Sequence, residues 1–302
     1  MKFIVRIIIG VVFLASAISK FLSIDQFELY TYSLNIFSLN TSMIFSRLLI
    51  SLEAILGIFF IFNFNAKLTW RITITLVSLF SIFLIVLIIK GSKENCHCFG
   101  EVIDLNPIHS LLKNILFIVL LFLIKPKRII THRTPGFLSV IIILAGLATP
   151  MILSPPDFMM YKAHDTAGQQ FSLNGLTEPT IEILSLNEPD IFKGKVALCF
   201  FSTKCRYCKM AARKMSILSN KFQIQENVIY IFMGNPEELK DFYHDSRSDK
   251  FPDLIIRPKD FLQITHNEMP KIFLLEDGII KHLFSYRDIS EKDVKDFFTG
   301  KD

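Results

Sequence analysis

Five long apolar stretches crowd the first half of this chain, at about 3–22, 43–63, 68–90, 109–125 and 136–154. No other feature constrains the fold as much. A helix rises 1.5 Å per residue and needs about 20 apolar residues to cross a hydrocarbon core about 30 Å thick. Runs of this length, one after another, predict a multi-pass helical membrane bundle. A cleaved signal peptide is the alternative for the first run. The four runs behind it, and the lack of a small-x-small cleavage site, argue against that. The fifth run also admits a re-entrant or interfacial reading. With 51% hydrophobic and 20% charged residues, the chain is neither disordered nor collagen-like.

Charge gives the bundle an orientation. Residues 1–154 carry 13 Lys/Arg against 6 Asp/Glu, a net of +7, while 155–302 carry 20 against 22, a net of −2. Lys2 and Arg6 precede the first run, Lys67 and Arg71 lie in the second connection, and Lys125, Lys127, Arg128 and Arg133 fill the fourth. The positive-inside rule places these on the cytoplasmic side. Connections holding Asp25 and Glu28, and Glu94, Glu101 and Asp104, then lie outside; Lys90 and Lys93 oppose this and are outweighed. Five spans that start inside end outside. The expectation is a bacterial-type inner-membrane protein with a cytoplasmic N-terminus and an exported, periplasmic C-terminal domain.

After Pro155-Pro156 the pattern changes. Lys195–Ser202 (KVALCFFS) reads as a buried strand, 206–222 as a helix, 228–233 as a strand and 236–245 as a helix. Residues 270–276 and 279–285 read as strands joined by Asp277-Gly278, a hairpin turn signal. A final helix over 290–299 opens with Ser290-x-x-Asp293. The order β-α-β-α-(α)-β-β-α predicts a small mixed sheet with helices on both faces.

Cysteines carry the chemistry. Cys205-Arg206-Tyr207-Cys208 falls where a strand ends and a helix begins. There the unpaired N–H groups of the helix start favour a thiolate at the first position, and the second thiol lies one turn away. Lys204, Arg206 and Lys209 are expected to favour the thiolate further. Half a zinc site and two unrelated core cysteines are the competing readings, but no second CxxC or nearby His pair completes a zinc site. Cys199 reads as a buried small hydrophobe. In the membrane half, Cys96-His97-Cys98 admits three readings: a strained, exchangeable disulfide, a soft-metal ligand set, or a structural loop. Met159-Met160 would be further soft ligands on the metal reading.

Two resemblances add to this. Residues from about 160 to 302 resemble a thioredoxin-fold domain, on the strand-CxxC-helix unit and on Met269-Pro270 before the hairpin. The resemblance implies a cis Pro270 in a substrate-binding loop facing the CxxC. Cys199 stands where many thioredoxins carry a buried acid, and Arg-Tyr replaces Gly-Pro, which leaves the direction of electron flow open. Residues 1–130 resemble the DoxX-like family, in its methylamine-utilisation MauE branch. Lys20, Glu53, Asn114 and the run Cys96-His97-Cys98-Phe99-Gly100 carry that likeness. It implies a four-helix membrane domain and a role in maturing a disulfide-rich exported enzyme.

The expected architecture is therefore an α-helical membrane bundle over 1–130, a fifth transmembrane helix over 131–155, and an α/β thioredoxin-like domain over 156–302. Glu53 falls mid-bilayer, where an ionisable group faces the bundle interior, as a proton relay or as a packing contact. Lys20, Arg47 and Lys113 are expected to snorkel to the interface; His109 and Lys113 share a face without an assigned role. The expected activity is thiol–disulfide exchange by a membrane oxidoreductase, with Cys205, Cys208, Cys96 and Cys98 reacting and Met269 and Pro270 binding substrate. Partners are the bilayer and exported cysteine-containing clients, not nucleic acid. No cofactor is firmly implied, and a quinone is unsupported. The alternatives are a low-turnover maturation factor and soft-metal handling at Cys96, His97 and Cys98.

Overall fold

The computed structural model describes residues 2–90, 106–126, 136–161, 168–185 and 193–300. The chain divides into two units, Met1–Thr31 with Thr41–Pro156, and Tyr32–Asn40 with Asp157–Asp302.

The apolar runs become helices α1 (Lys2–Leu22), α3 (Leu39–Phe62), α4 (Ala66–Ile89), α5 (Pro107–Leu123) and α6 (Gly136–Leu153), with α2 (Ile24–Ser33) after α1. A helix pairs its own backbone groups, which is what hydrocarbon demands. Among the described residues, α1, α3, α4 and α6 are long and apolar enough to cross a membrane; α5 is apolar but has 17 residues. The chain is a multi-pass membrane protein. Its polarity is inverted relative to a soluble bundle: Ile18, Leu79, Ile82, Leu112 and Leu144 face outward, while Ser16, Lys20, Ser81 and Asn114 are buried. Phe13, Leu56, Phe60, Val77, Phe117 and Leu121 form a core shared by α1, α3, α4 and α5. Helices α1 and α3 cross closely at two glycines. A Cβ on Gly10 would lie 2.8 Å from the Gly57 carbonyl oxygen, and one on Gly57 would lie 2.9 Å from that of Gly10.

The connections and their charges depart from expectation at one point, the buried cations. The first connection, which holds Asp25 and Glu28, is the helix α2, and Glu28 is buried against the Arg47 guanidinium. Lys20 and Arg47 do not snorkel; both are buried. Arg47 pairs with Glu28, with its Nε donating to the Ser154 carbonyl at 2.7 Å and a further N–H to the Met43 carbonyl at 2.8 Å. Inside a bundle, a charge with a complete set of partners is held better than one stretched to a distant interface. Lys113 on α5 is half-buried.

In the second unit, after the short α7 (Asp157–Met160), the described strands are β1 (Gln169–Gln170), β2 (Lys195–Ser202), β3 (Val228–Met233), β4 (Asp253–Ile255), β5 (Lys271–Glu276) and β6 (Ile279–Phe284). They form one sheet in the order β1-β6-β5-β2-β3-β4. The helices are α8 (Glu178–Ser185), α9 (Arg206–Phe222), α10 (Leu239–Ser246), α11 (Pro258–Thr265) and α12 (Glu291–Thr299). Strand β2 is central, parallel to β3 from Ala197↔Val228 to Ser202↔Met233 and antiparallel to β5 from Lys195↔Glu276 to Phe200↔Lys271.

Helices cover both faces of β2, which explains its unbroken apolar run. On one face Phe200 packs with Phe261 of α11, Phe171 and Phe273. On the other, Phe201 meets Phe242 of α10 and Tyr230, whose hydroxyl donates to the Ala212 carbonyl of α9 at 2.9 Å. The hairpin turn has Asp277 at φ 50° and Gly278 at φ 76°, the left-handed pair such a two-residue turn requires. Ser290 caps α12 by accepting the Asp293 N–H at 3.2 Å. Bundle followed by α/β domain is the expected fold class. The second unit has the thioredoxin arrangement: a central strand leading into the CxxC helix, and a proline-led antiparallel hairpin beside it.

Candidate functional site

Strand β2 delivers the chain to Ser202 at one end of the sheet, and Cys205 then caps α9. Its extended backbone (φ −82°, ψ 120°) turns the side chain back over the helix start, where Sγ accepts the Cys208 N–H at 3.3 Å. Cys208 is buried one turn on, and its Sγ accepts the Ser202 N–H at 3.4 Å. Both thiols are free. Half-buried Cys205 is lowered to about 6: the Cys208 thiol donates to it, the Cys208 and Tyr207 N–H groups add to this, and partial burial opposes them. Cys208 is pushed far up, by burial first and then by the hydrogen bond it gives to Cys205 and the charge there. The pair is asymmetric: a half-buried thiol lowered toward the thiolate, with a buried thiol raised behind it.

The cations around the pair differ from expectation. Lys204 is engaged by Glu238 at 3.0 Å and Lys209 by Asp245 at 2.7 Å, while Arg206 is exposed. Hydrogen bonds at the helix start, rather than neighbouring lysines, lower Cys205. The approach to the site is tightly fitted. Thr203 donates through Oγ1 to Glu238 and through its N–H to the Met233 carbonyl at 3.3 Å. A Cβ on Gly234 would lie 2.3 Å from Thr203 Oγ1, so no larger residue fits there unless Thr203 shifts.

The Met269–Pro270 bond is cis. Lys271 pairs with Phe200, so Pro270 sits one step beyond the ladder, at the end of the sheet from which β2 runs to Cys205. Pro270 is buried, and Met269 is half-buried and packs partly on the apolar core. Cys199 is fully buried opposite Tyr230, and burial pushes its thiol up. Cys96, His97 and Cys98 lie outside the described residues. Met159 and Met160 are exposed on α7.

Glu53 of α3 is paired. Lys20 Nζ lies 2.7 Å from both of its carboxylate oxygens and 2.7 Å from Ser16 Oγ, which itself donates to Glu53 Oε2 at 3.0 Å. The sequence carried a signal for this: Ser16 and Lys20, four apart, share a face of α1. Sequence reasoning also passed over Lys214 and Tyr286, which lie behind Tyr207. Lys214 was detectable, since it shares a helical face with the apolar Met210, Ala211 and Leu218. Tyr286 gave no signal.

Residues 1–125 match the family model described as methylamine utilisation protein MauE, which shows the MauE likeness expected of the N-terminal part. A protein of Flavobacterium psychrophilum named Protein TlpB is 28% identical over 294 residues, covering 81% of this chain and 80% of its own length. Solved structures similar to the second unit include the thioredoxin domain of a thiol-disulfide oxidoreductase from Bacteroides vulgatus. That structure is 15% identical, covers 36% of this chain and 80% of its own, and has a TM-score of 0.29. Another is a thiol:disulfide interchange protein from Bacteroides sp., 14% identical, covering 46% of this chain and 91% of its own, with a TM-score of 0.32.

Proposed function

We propose that this chain is a membrane thiol–disulfide oxidoreductase whose nucleophile is Cys205 and whose resolving thiol is Cys208. The observation that carries the reading is the asymmetry of the pair, with Cys205 half-exposed and lowered to about 6 while Cys208 is buried and held protonated. At neutral pH Cys205 is mostly thiolate. It attacks one sulfur of a client disulfide, forming a Cys205–client bond as the client S–S bond breaks and one client thiolate leaves. Cys208 then gives up its proton and attacks Cys205 Sγ, and the second client thiolate leaves as the Cys205–Cys208 disulfide closes. Two electrons pass to the client, whose two thiolates take up two protons. Run in reverse, the same steps oxidise a client dithiol.

Pro270, beside the end of β2, lines the groove in which the client backbone lies, and Met269 flanks it. The basic connections support a cytoplasmic N-terminus and an exported CxxC domain, on the side where disulfides persist. Clients are then exported cysteine-containing proteins. Cys96 and Cys98 form the second redox pair and exchange with Cys205 and Cys208. Glu53, saturated by Lys20 and Ser16, joins α1 to α3 as a packing element.

The test is a trap. Removing the resolving thiol with Cys208→Ala leaves the mixed disulfide at Cys205 with no internal exit. Cells expressing the variant should accumulate client adducts under an acid and alkylating quench, absent from Cys205→Ser/Cys208→Ala. No adduct from a folded variant counts against the reading. Client maturation that survives Cys205→Ser/Cys208→Ser would assign the domain a holding role instead.

A further inference from the structure

Beside the cysteines lies a cluster of side chains that the thiol chemistry does not use. Tyr207, between Cys205 and Cys208, is 47% exposed, and its ring centroid lies 5.7 Å from that of Tyr286. Tyr286 is buried. Lys214 of α9, 1% exposed, donates through Nζ to the Tyr286 carbonyl at 3.1 Å and lies 4.9 Å from the centre of its ring. The Arg287 guanidinium lies 5.9 Å from the same ring and 5.8 Å from that of Tyr161, and it ion-pairs with Asp157 at 2.8 Å. The turn carrying Tyr286 is fixed by the Ser285 N–H, which donates to the Asp288 carboxylate.

Burying an ammonium costs free energy even with good partners, and an apolar residue would fill the same space on α9 more simply. What Lys214 adds is a grip on the Tyr286 carbonyl and ring face together, so that ring cannot swing away from Tyr207. Three of the nearby cations are taken by acids, Lys204 by Glu238, Lys209 by Asp245 and Arg287 by Asp157, while Arg206 is exposed. The dipeptide that joins the two cysteines thus presents an aromatic face, Tyr207, beside the exposed Arg206 guanidinium.

We infer that Tyr207, held in place by Tyr286 and Lys214, is a specificity-determining residue that selects client disulfides whose reacting cysteine is flanked by an aromatic or large aliphatic side chain. Tyr207 is the contact, and Tyr286 and Lys214 are positioning residues. A flanking ring laid on Tyr207 adds an aromatic pair to the area it buries, and a flanking glycine adds neither. This rests on the thiol–disulfide reading above.

The test uses the full reduced chain in detergent. The probes are short peptides, each with one cysteine held as a mixed disulfide with cysteamine and flanked by Phe, Gly or Asp, and glutathione disulfide serves as the reference. The Phe peptide should react roughly tenfold faster than the Gly peptide, a ratio equivalent to about 1.4 kcal/mol. Tyr207→Ala, at an exposed position, should bring the ratio to about one, and Tyr207→Phe should keep it. Lys214→Met should lower the ratio without reversing it. Equal rates for Phe and Gly peptides, a ratio unchanged in Tyr207→Ala, or a preference for the Asp peptide overturns the inference. If the chain reacts with no probe, glutathione disulfide included, the redox reading itself has failed and takes this inference with it.

Discussion

Two partnered pairs, one in each unit, use the same physics for opposite ends. In the bundle, Lys20 and Glu53 are both charged groups, and the carboxylate is met by an ammonium and a hydroxyl with little of it left open. In the α/β domain, Cys205 carries the charge alone, on a half-buried sulfur stabilised by a thiol and two backbone N–H groups, with one side open. The first arrangement fastens α1 to α3. The second, on the function proposed above, keeps a nucleophile ready. The difference teaches that a perturbed or buried ionisable group marks chemistry only when its partners leave it accessible; saturation turns the same feature into architecture.

The comparison breaks most readily at Glu53. Glu53→Gln strands the Lys20 ammonium in the bundle and should cost about 3–5 kcal/mol. Thermal unfolding in detergent should show it, and Lys20→Met/Glu53→Gln should recover most of the loss. If Glu53→Gln instead left stability intact and abolished exchange at the cysteines, the group would be a relay and the contrast would collapse. A smaller effect is expected where the same helices cross. Gly57→Ala puts a Cβ 2.9 Å from the Gly10 carbonyl oxygen and 2.7 Å from Leu14, and the shift it forces should cost about 1–3 kcal/mol by the same assay. The smallest concerns the thiolate's neighbours. Lys204→Gln and Lys209→Gln should each move the midpoint of Cys205 alkylation by less than about half a pH unit, because exposed cations already paired with acids contribute little. A larger shift would mean that charge, as in the bundle, holds the thiolate.

How much of this was legible in the sequence depended on the distance over which each feature is decided. Cys205-x-x-Cys208 at a strand–helix junction, the Asp277-Gly278 turn and the Ser290 cap are settled within a few residues, so they could be read directly. The edge strands β1 and β4, of two and three residues, are too short and too exposed for an alternating pattern. The helix predicted over 236–245 opens with a 3-10 turn at Pro236–Glu238 before the α-helix begins at Leu239. Helix α8 escaped because part of what fixes it is remote, the Asp260 carboxylate of α11 accepting from Thr177 and Thr180. The same holds for the ion pairs. Nothing near Arg47 in sequence announces Glu28 as its partner, and snorkelling was the sound default for a lone cation until tertiary packing supplied an anion.

The pH dependence of Cys205 follows from its lowered pKa. Its deprotonated form is favoured by the folded state, so this group's contribution to stability is complete above the ordinary thiol value near 9 and is lost as pH falls through about 6. The most direct test of the central claim is the alkylation rate of Cys205 in the reduced full-length chain, followed as a function of pH. Reactivity should rise through a midpoint near 6 and level off by neutral pH, and Cys208→Ala, which removes the donating thiol, should move that midpoint upward. A midpoint near 9 in the unmodified chain would contradict the account, because Cys205 would then be an ordinary thiol and not the nucleophile of an exchange enzyme.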